Sequence, residues 1–393
     1  MTNHFCEAIK QDSKEQIKLI NNIKKGKIVI CTWGICGKLV YKWCEENHIR
    51  VSGIVDNDSK KWGKPVFDIK VESFDSIKSN SNTYYVIATY NQYLYNDIYQ
   101  QLIHLGIDNL TIIHVSLCEN YLFKYRFDYK IYLERYSNPV SILENMDLIE
   151  KVAGLLNDNQ SKEIYYKMLA RHYNCYECTI PEQYCGAENY FDWEFFSYTE
   201  HETLIQCGVM DGATIKDFIK LVPNYNQIIG IEADYNNYML ASRCLNTFSR
   251  VDLINKAIVE DDSIEVAFCS FGTGRSHIES LGDIALEGIR DNDTMGEKKE
   301  KNITVKAIKG DNLSVSPTFI QMDIEGAEMM ALKGFERTII SKKPKLAICI
   351  YHSIEDFWNI PLYIHKIVPN YKLFVRNGSA FCKNNETVLY ATL

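Results

Sequence analysis

One arrangement occurs twice along the chain and restricts the fold more than any other feature. It is a short apolar strand, a glycine turn, an amphipathic helix, a second apolar strand, and an acidic residue at that strand's end. The first copy is KIVICTWGICGKLVYKWCEENHIRVSGIVDND: a strand over 28–31, Gly34 and Gly37 in the turn, a helix from about Lys38, a strand over 51–55, then Asp56. The second is HETLIQCGVMDGATIKDFIKLVPNYNQIIGIEAD: a strand over 203–206, Gly208 and Gly212 in the turn, a helix from Ala213, a strand over 228–231, then Glu232. Strands joined through a helical crossover lie parallel. Each copy therefore opens a Rossmann-like α/β layer whose ligand crevice lies at the carboxyl ends of its strands.

A length of 393 residues suits two domains. The expected layout is an N-terminal helix at 1–25 and a small Rossmann-like α/β domain at 26–115, completed by a strand over 84–89, a helix over 96–105 and a strand over 110–115. A helical connector at 116–185 follows, then a larger α/β domain at 186–393 with a mostly parallel sheet and an antiparallel edge strand. Hydrophobic residues at 46% and charged residues at 24% fit a folded globular chain.

A formal charge of −8 argues against a surface that neutralises nucleic-acid phosphates, and the densest basic run, GEKKEK, alternates in sign. No run approaches the ~20 apolar residues of a membrane helix, and the N-terminal stretch lacks a signal peptide's apolar core, so a cytoplasmic location is expected. The 13 cysteines then read as thiols in a reducing compartment. His172, Cys175, Cys178 and Cys185 could ligate zinc, but their spacing is loose and no second Cys-x-x-Cys pair accompanies them; no metal is expected.

The two turns differ. In the first, Thr32 stands where a G-x-G-x-x-G motif has its first glycine. Two readings stay open there: Gly34, Gly37 and Asp56 hold a dinucleotide, or Gly37 allows close helix packing and Asp56 makes a turn with Asn57 and Asp58. In the second, Glu232 is placed to accept ribose hydroxyls, whereas no Lys or Arg in the loop meets a pyrophosphate and Asp211 adds negative charge. Acidic surroundings suit a cationic nucleoside, and S-adenosylmethionine is the common one.

Further on, FIQMDIEGAEMMALKG places Phe319, Gln321 and Asp323 on one strand face, which brings Asp323 and Glu325 to the crevice end. Glu328 falls in the first turn of a helix over 327–340, where the helix dipole accounts for it. LAICIYHSIED carries His352 to the same edge. A neutral imidazole there would take a hydroxyl proton, with Asp323 or Glu325 orienting it; a structural histidine is the alternative.

The stretch FIQMDIEGAEMMALKGFERTIISKKPKLAICIYH resembles the signature of the FkbM-type methyltransferases. ETLIQCGVMDGATI, IEADYNNY, KAIVEDD, FGTGRSHI and ETVLYATL are similar to that family's other motifs and follow in the expected order over roughly 186–393. The resemblance implies a Rossmann-like methyltransferase domain, S-adenosylmethionine as donor, and a hydroxyl on a sugar, glycan or related small polar molecule as acceptor. It also implies cofactor contacts from Gln206, Gly208, Met210, Asp211, Gly212, Glu232, Ala233 and Ala257, with His352, Asp323 and Glu325 on the catalytic side. Gln206 departs from the Asp usual at its place, and a neutral amide offsets no ammonium charge. Two other function classes remain: a cofactor-binding module without catalysis, motivated by Gln206, and a dinucleotide oxidoreductase using the first copy. A homo-oligomer is compatible with either fold.

Overall fold

The structure is a computed structural model that describes residues 14, 18–77, 82–89, 92–115, 139–174, 190–191, 195–261, 265–270, 277–278, 301–377 and 387–393. The chain divides into two compact units. One is Met1–Pro139 with Tyr166–Pro181 and Ala380–Asn384; the other is Val140–Tyr165 with Glu182–Ser379 and Asn385–Leu393. No helix among the described residues is long and apolar enough to cross a membrane.

The first unit holds a six-stranded sheet built from β1 (Lys27–Cys31), β2 (Arg50–Val55), β3 (Pro65–Val66), β4 (Ile69–Glu72), β5 (Thr83–Ile87) and β6 (Ile112–His114), in the order β3-β4-β2-β1-β5-β6. All pairings are parallel except the β3–β4 hairpin. Both faces are covered, as a parallel sheet requires. Alternation along β1 sends Ile28 and Ile30 to one core with Val40 and Cys44 of helix α1 (Ile35–Glu46). Cys31 goes to the other, with Ile98 and Leu102 of helix α2 (Gln92–His104).

The second unit is built on a seven-stranded sheet. Its parallel part is β7 (Thr203–Cys207), β8 (Gln227–Ile231), β9 (Val251–Ile254), β14 (Phe319–Met322) and β15 (Lys345–Cys349); β16 (Lys372–Asn377) and β17 (Thr387–Thr392) form an antiparallel edge. The order β16-β17-β15-β14-β7-β8-β9 gives a Rossmann-like, mostly parallel sheet with the expected antiparallel edge. A smaller sheet, in the order β10-β13-β11-β12, was not foreseen from sequence; it comprises β10 (Ala257–Val259), β11 (Glu265–Ser270), β12 (His277–Ile278) and β13 (Lys301–Lys309).

Of the stretch read as a connector, residues 140–165 belong to the second unit. Helices α3 (Pro139–Glu144), α4 (Met146–Leu155) and α5 (Asn159–Asn174) occupy its described part. The link to the sheet is made by Arg376, whose guanidinium reaches Asp158 at 3.0 Å, and by Asn157, which accepts from Leu373 N at 3.0 Å.

After β8 comes helix α7 (Tyr235–Leu245), preceded by α6 (Ala213–Leu221) between β7 and β8. The single helix expected over 327–340 is two, α8 (Glu328–Gly334) and α9 (Glu336–Lys342), broken at the fully buried Phe335. Gly334, the last residue of α8, lets the helix pass β10, since a Cβ there would lie 2.3 Å from Val259 O. Helix α10 (Asp356–Ile367) closes this face.

Candidate active site

β7 lies between β14 and β8, so chain connections leave it in opposite directions and a crevice opens at the carboxyl end of this pair. A cavity of about 350 Å³ occupies it. Gly208, Met210, Asp211, Glu232, Ala233 and Ala257 of the expected cofactor residues line it, as do Asp323 and Glu325. Gln206, Gly212 and His352 are not part of the lining.

The turn after β7 is shaped by close approach. Gly208 has φ +86°, and a Cβ there would sit 1.9 Å from Asp323 O. No side chain fits that gap. Met210 and Glu325 hold φ of 52° and 55° without being glycine. Both line the cavity, and strained backbone of this kind gathers at functional sites.

Glu232 is buried at the end of β8 and ties the turn to its own strand. Its Oε2 accepts from Val209 N at 3.0 Å and Met210 N at 2.9 Å, and its Oε1 accepts from Asp234 N at 2.9 Å. Burial pushes its carboxyl up, against the pull of these N–H groups. Asp211 accepts from Ala213 N at 3.0 Å at the start of α6.

Beneath the turn, two buried amides face each other across paired strands, Gln206 in register with Gln321. Gln206 Nε2 donates to Gly208 O at 3.0 Å, while Gln206 Oε1 and both polar atoms of Gln321 have no hydrogen-bond partner among the described residues. An unpaired buried polar group costs about 1–3 kcal/mol, so such atoms mark a place for a ligand. Gln321 was missed as a site residue, although its alternation with Asp323 was the signal.

On the other side of the cavity, His352 is only 2% exposed. Its Nδ1 lies 2.8 Å from Glu328 Oε1, and its Nε2 lies 3.4 Å from Asp323 Oδ1 and 3.7 Å from Glu325 Oε2. Glu328 is fully buried and also accepts from Ile324 N at 2.9 Å and Gly326 N at 3.0 Å. It is thus the residue that orients the ring, which the dipole argument from sequence did not anticipate. Asp323 accepts from Tyr190 Oη at 2.5 Å and Tyr351 Oη at 3.3 Å.

Burial would lower the His352 ring's pKa, but the charge and hydrogen bond of Glu328, then Asp323 and Glu325, raise it to about 9. Against its own burial, Glu328 is held below the usual carboxylate range by the charge of His352. The neutral imidazole expected from sequence is therefore not the form this arrangement favours at neutral pH.

In the first unit, the Asp56 carboxylate is already engaged. Oδ2 accepts from Trp33 N at 2.7 Å and Lys61 Nζ at 2.8 Å, and Oδ1 accepts from Asp58 N at 2.8 Å. Gly37 serves packing, since a Cβ there would lie 2.5 Å from Thr32 O. Of the loose zinc candidates, His172 is buried in α5; Cys175, Cys178 and Cys185 lie outside the described residues.

A family profile described as Methyltransferase FkbM domain matches residues 206–375. A search among curated proteins gave no match. Among solved structures, the chain is similar to a methyltransferase FkbM from Methylobacillus flagellatus KT at 20% identity and TM-score 0.62, covering 100% of this chain and 99% of that one. That likeness extends the shared fold over the whole length. Fibrillarin from Aeropyrum pernix, solved with natively bound S-adenosyl-L-methionine, aligns at 10% identity and TM-score 0.30 over 49% of this chain and 68% of that one, too distant in shape to carry an argument.

Proposed function

We propose that the chain, whose residues 206–375 match a methyltransferase FkbM domain profile, is an S-adenosylmethionine-dependent methyltransferase. Its acceptor is a hydroxyl on a sugar, glycan or related small polar molecule in bacterial surface polysaccharide or glycoconjugate synthesis, acted on in the cytoplasm. The observation that carries the donor assignment is the charge of the cavity. Its lining holds four carboxylates, Asp211, Glu232, Asp323 and Glu325, against one lysine, Lys256. Such a lining favours a cationic nucleoside and opposes a pyrophosphate.

The residues present fit that cofactor. Gly208 leaves the turn open for close approach, Glu232 would meet the ribose hydroxyls, and the unpaired amide of Gln321, which lines the cavity with Gln206 beside it in register, would serve the amino-acid end. Bound there, S-adenosylmethionine supplies an electrophilic methyl group on a good leaving group.

The protein's remaining task is to align an acceptor and accept its proton. Asp323 and Glu325 line the cavity, where they would accept hydrogen bonds from the acceptor's hydroxyls, while His352 behind them is fixed by Glu328 and lies 3.4 Å and 3.7 Å from the two carboxylates. The formal charge of −8 supports a small polar acceptor over nucleic acid.

Calorimetric titration of S-adenosylmethionine into the full chain tests the donor, and transfer of labelled methyl to a panel of free and nucleotide-linked sugars tests the acceptor. One molecule bound per chain is expected. No binding up to millimolar cofactor would overturn the proposal.

A further inference from the structure

We propose that Asp323, Glu325 and His352 bind one divalent cation of the manganese or magnesium class at the acceptor side of the cavity. The purpose of such a site rests on the methyl-transfer reading; its existence does not. Three observations carry it.

The ligand set converges. One oxygen from each carboxylate and one imidazole nitrogen all lie within 4.8 Å of one another. Ligands around one small divalent ion, each about 2.1 Å from it, stand roughly 3.0–3.5 Å apart. His352 Nε2 is already 3.4 Å from Asp323 Oδ1 and 3.7 Å from Glu325 Oε2, so the imidazole stands near ligand spacing from both carboxylates, and closing the carboxylates on one ion would bring three protein ligands together.

The imidazole is presented as metal-binding histidines are. Its Nδ1 is taken by Glu328, whose two oxygens are pinned by Ile324 N and Gly326 N. A carboxylate behind the ring fixes its orientation and makes the far nitrogen a better donor once the incoming cation has displaced its proton to solvent. That far nitrogen, Nε2, is aimed between Asp323 and Glu325, and it has no hydrogen-bond partner among the described residues although the side chain is 97% buried. A cluster of surface acids needs no such buried nitrogen at its centre.

The site also faces a ligand. Asp323 and Glu325 line the cavity, and the buried His352 lies behind them outside the lining, so the ion's open positions would point inward. A cation there can hold two neighbouring hydroxyl oxygens of a polyhydroxylated acceptor and make them more acidic. Two carboxylates with one imidazole suit manganese, which accepts both donor types, while magnesium prefers oxygen.

The test titrates Mn²⁺ into metal-stripped full chain and reads bound ion by electron paramagnetic resonance. One ion per chain is expected, with nitrogen modulation from the imidazole. At least tenfold weaker binding is expected in Glu325→Gln and in Asp323→Asn, with circular dichroism confirming that each variant is folded, and no change in the exposed Glu200→Gln. The proposal is overturned by absence of binding in the wild-type chain with or without S-adenosylmethionine, or by equal affinity in all the variants. Calorimetry of the cofactor on the same preparation separates the two readings: cofactor bound without Mn²⁺ sinks only the cation site, and Mn²⁺ bound without cofactor sinks only the methyl-donor assignment.

Discussion

The two strand–turn–helix–strand copies are built on the same backbone device and finished in opposite ways. After β1 the chain turns at Thr32 with φ 81°, and after β7 it turns at Gly208 with φ 86°. In each copy the acid after the second strand holds the next backbone N–H: Asp56 accepts from Trp33 N and Glu232 from Val209 N. The difference lies in what fills the turn. Thr32 occupies it with a side chain whose Oγ1 donates to Ala88 O at 2.9 Å, whereas Gly208 has Asp323 O against it. Asp56 is neutralised by Lys61, while Glu232 has only backbone donors and no ion pair among the described residues. A shared fold signature thus does not imply a shared site; the two turns differ in the side chains that surround them.

The largest effect that would sharpen this contrast comes from the turn residues themselves. Gly208→Ala drives a Cβ into Asp323 O and imposes a left-handed backbone on alanine, a loss of about 3 kcal/mol or more together with loss of cofactor binding. Thr32→Gly relieves a strained φ but removes the bond to Ala88, leaving a net change within about 1 kcal/mol. Urea denaturation and cofactor titration of the two variants check this. Comparable losses in both would mean that the turns do the same work.

Next in size is exchange of the acids. Glu232→Gln keeps the shape but weakens hydrogen bonds to a charged acceptor, so S-adenosylmethionine affinity falls about 10- to 100-fold. Asp56→Asn leaves that affinity within about twofold, since the cavity is lined by residues of the second unit alone. NAD raises the melting temperature of neither wild type nor Asp56→Asn. A rise with NAD that Asp56→Asn abolishes would break the comparison and return the first copy to the dinucleotide binders.

Much of this frame was legible in the chain, because apolar runs broken by glycine identify strands and turns locally. β7, β8 and β14 fall within a residue or two of their expected limits, and Asp323 stands at the strand end that its alternation with Phe319 and Gln321 requires. What was not legible depends on partners far away in sequence. Glu328 satisfies a local dipole argument completely, yet its burial and its bond to the His352 ring arise from a strand and loop 24 residues on. Gln321 becomes a ligand-facing orphan only because β7 lies beside it in register. The sheet of β10–β13 escaped because β10 and β12 are too short for any period to show.

The smallest effect concerns which acid each copy pairs with a lysine. In the first unit Lys61 sits on the acid at the ligand end of the sheet. In the second, Lys345 instead pairs at 2.8 Å with the buried Glu202, immediately before β7 and so at the opposite end. Burial alone would raise the Glu202 carboxyl, but hydrogen bonds from Lys345, Thr318 and Thr199 and the lysine charge hold it below its ordinary 4.5. A folded value below the unfolded one means stability that is present above about 4.5 and is lost as pH falls through the folded value. Asp158, held down against its burial by Arg376 and Ser161, and Asp311, held down against its burial by Thr338 and Arg337, act in the same direction within this unit. The urea midpoint of the second unit should therefore fall on acidification from neutral pH through 4.5. In Glu202→Gln it should begin lower and fall less, the two curves converging in acid. Parallel curves would show that Lys345 does not stabilise this end of the sheet through Glu202. The contrast would then rest on the ligand end alone, where Asp56 has Lys61 as an ion-pair partner and Glu232 has none among the described residues.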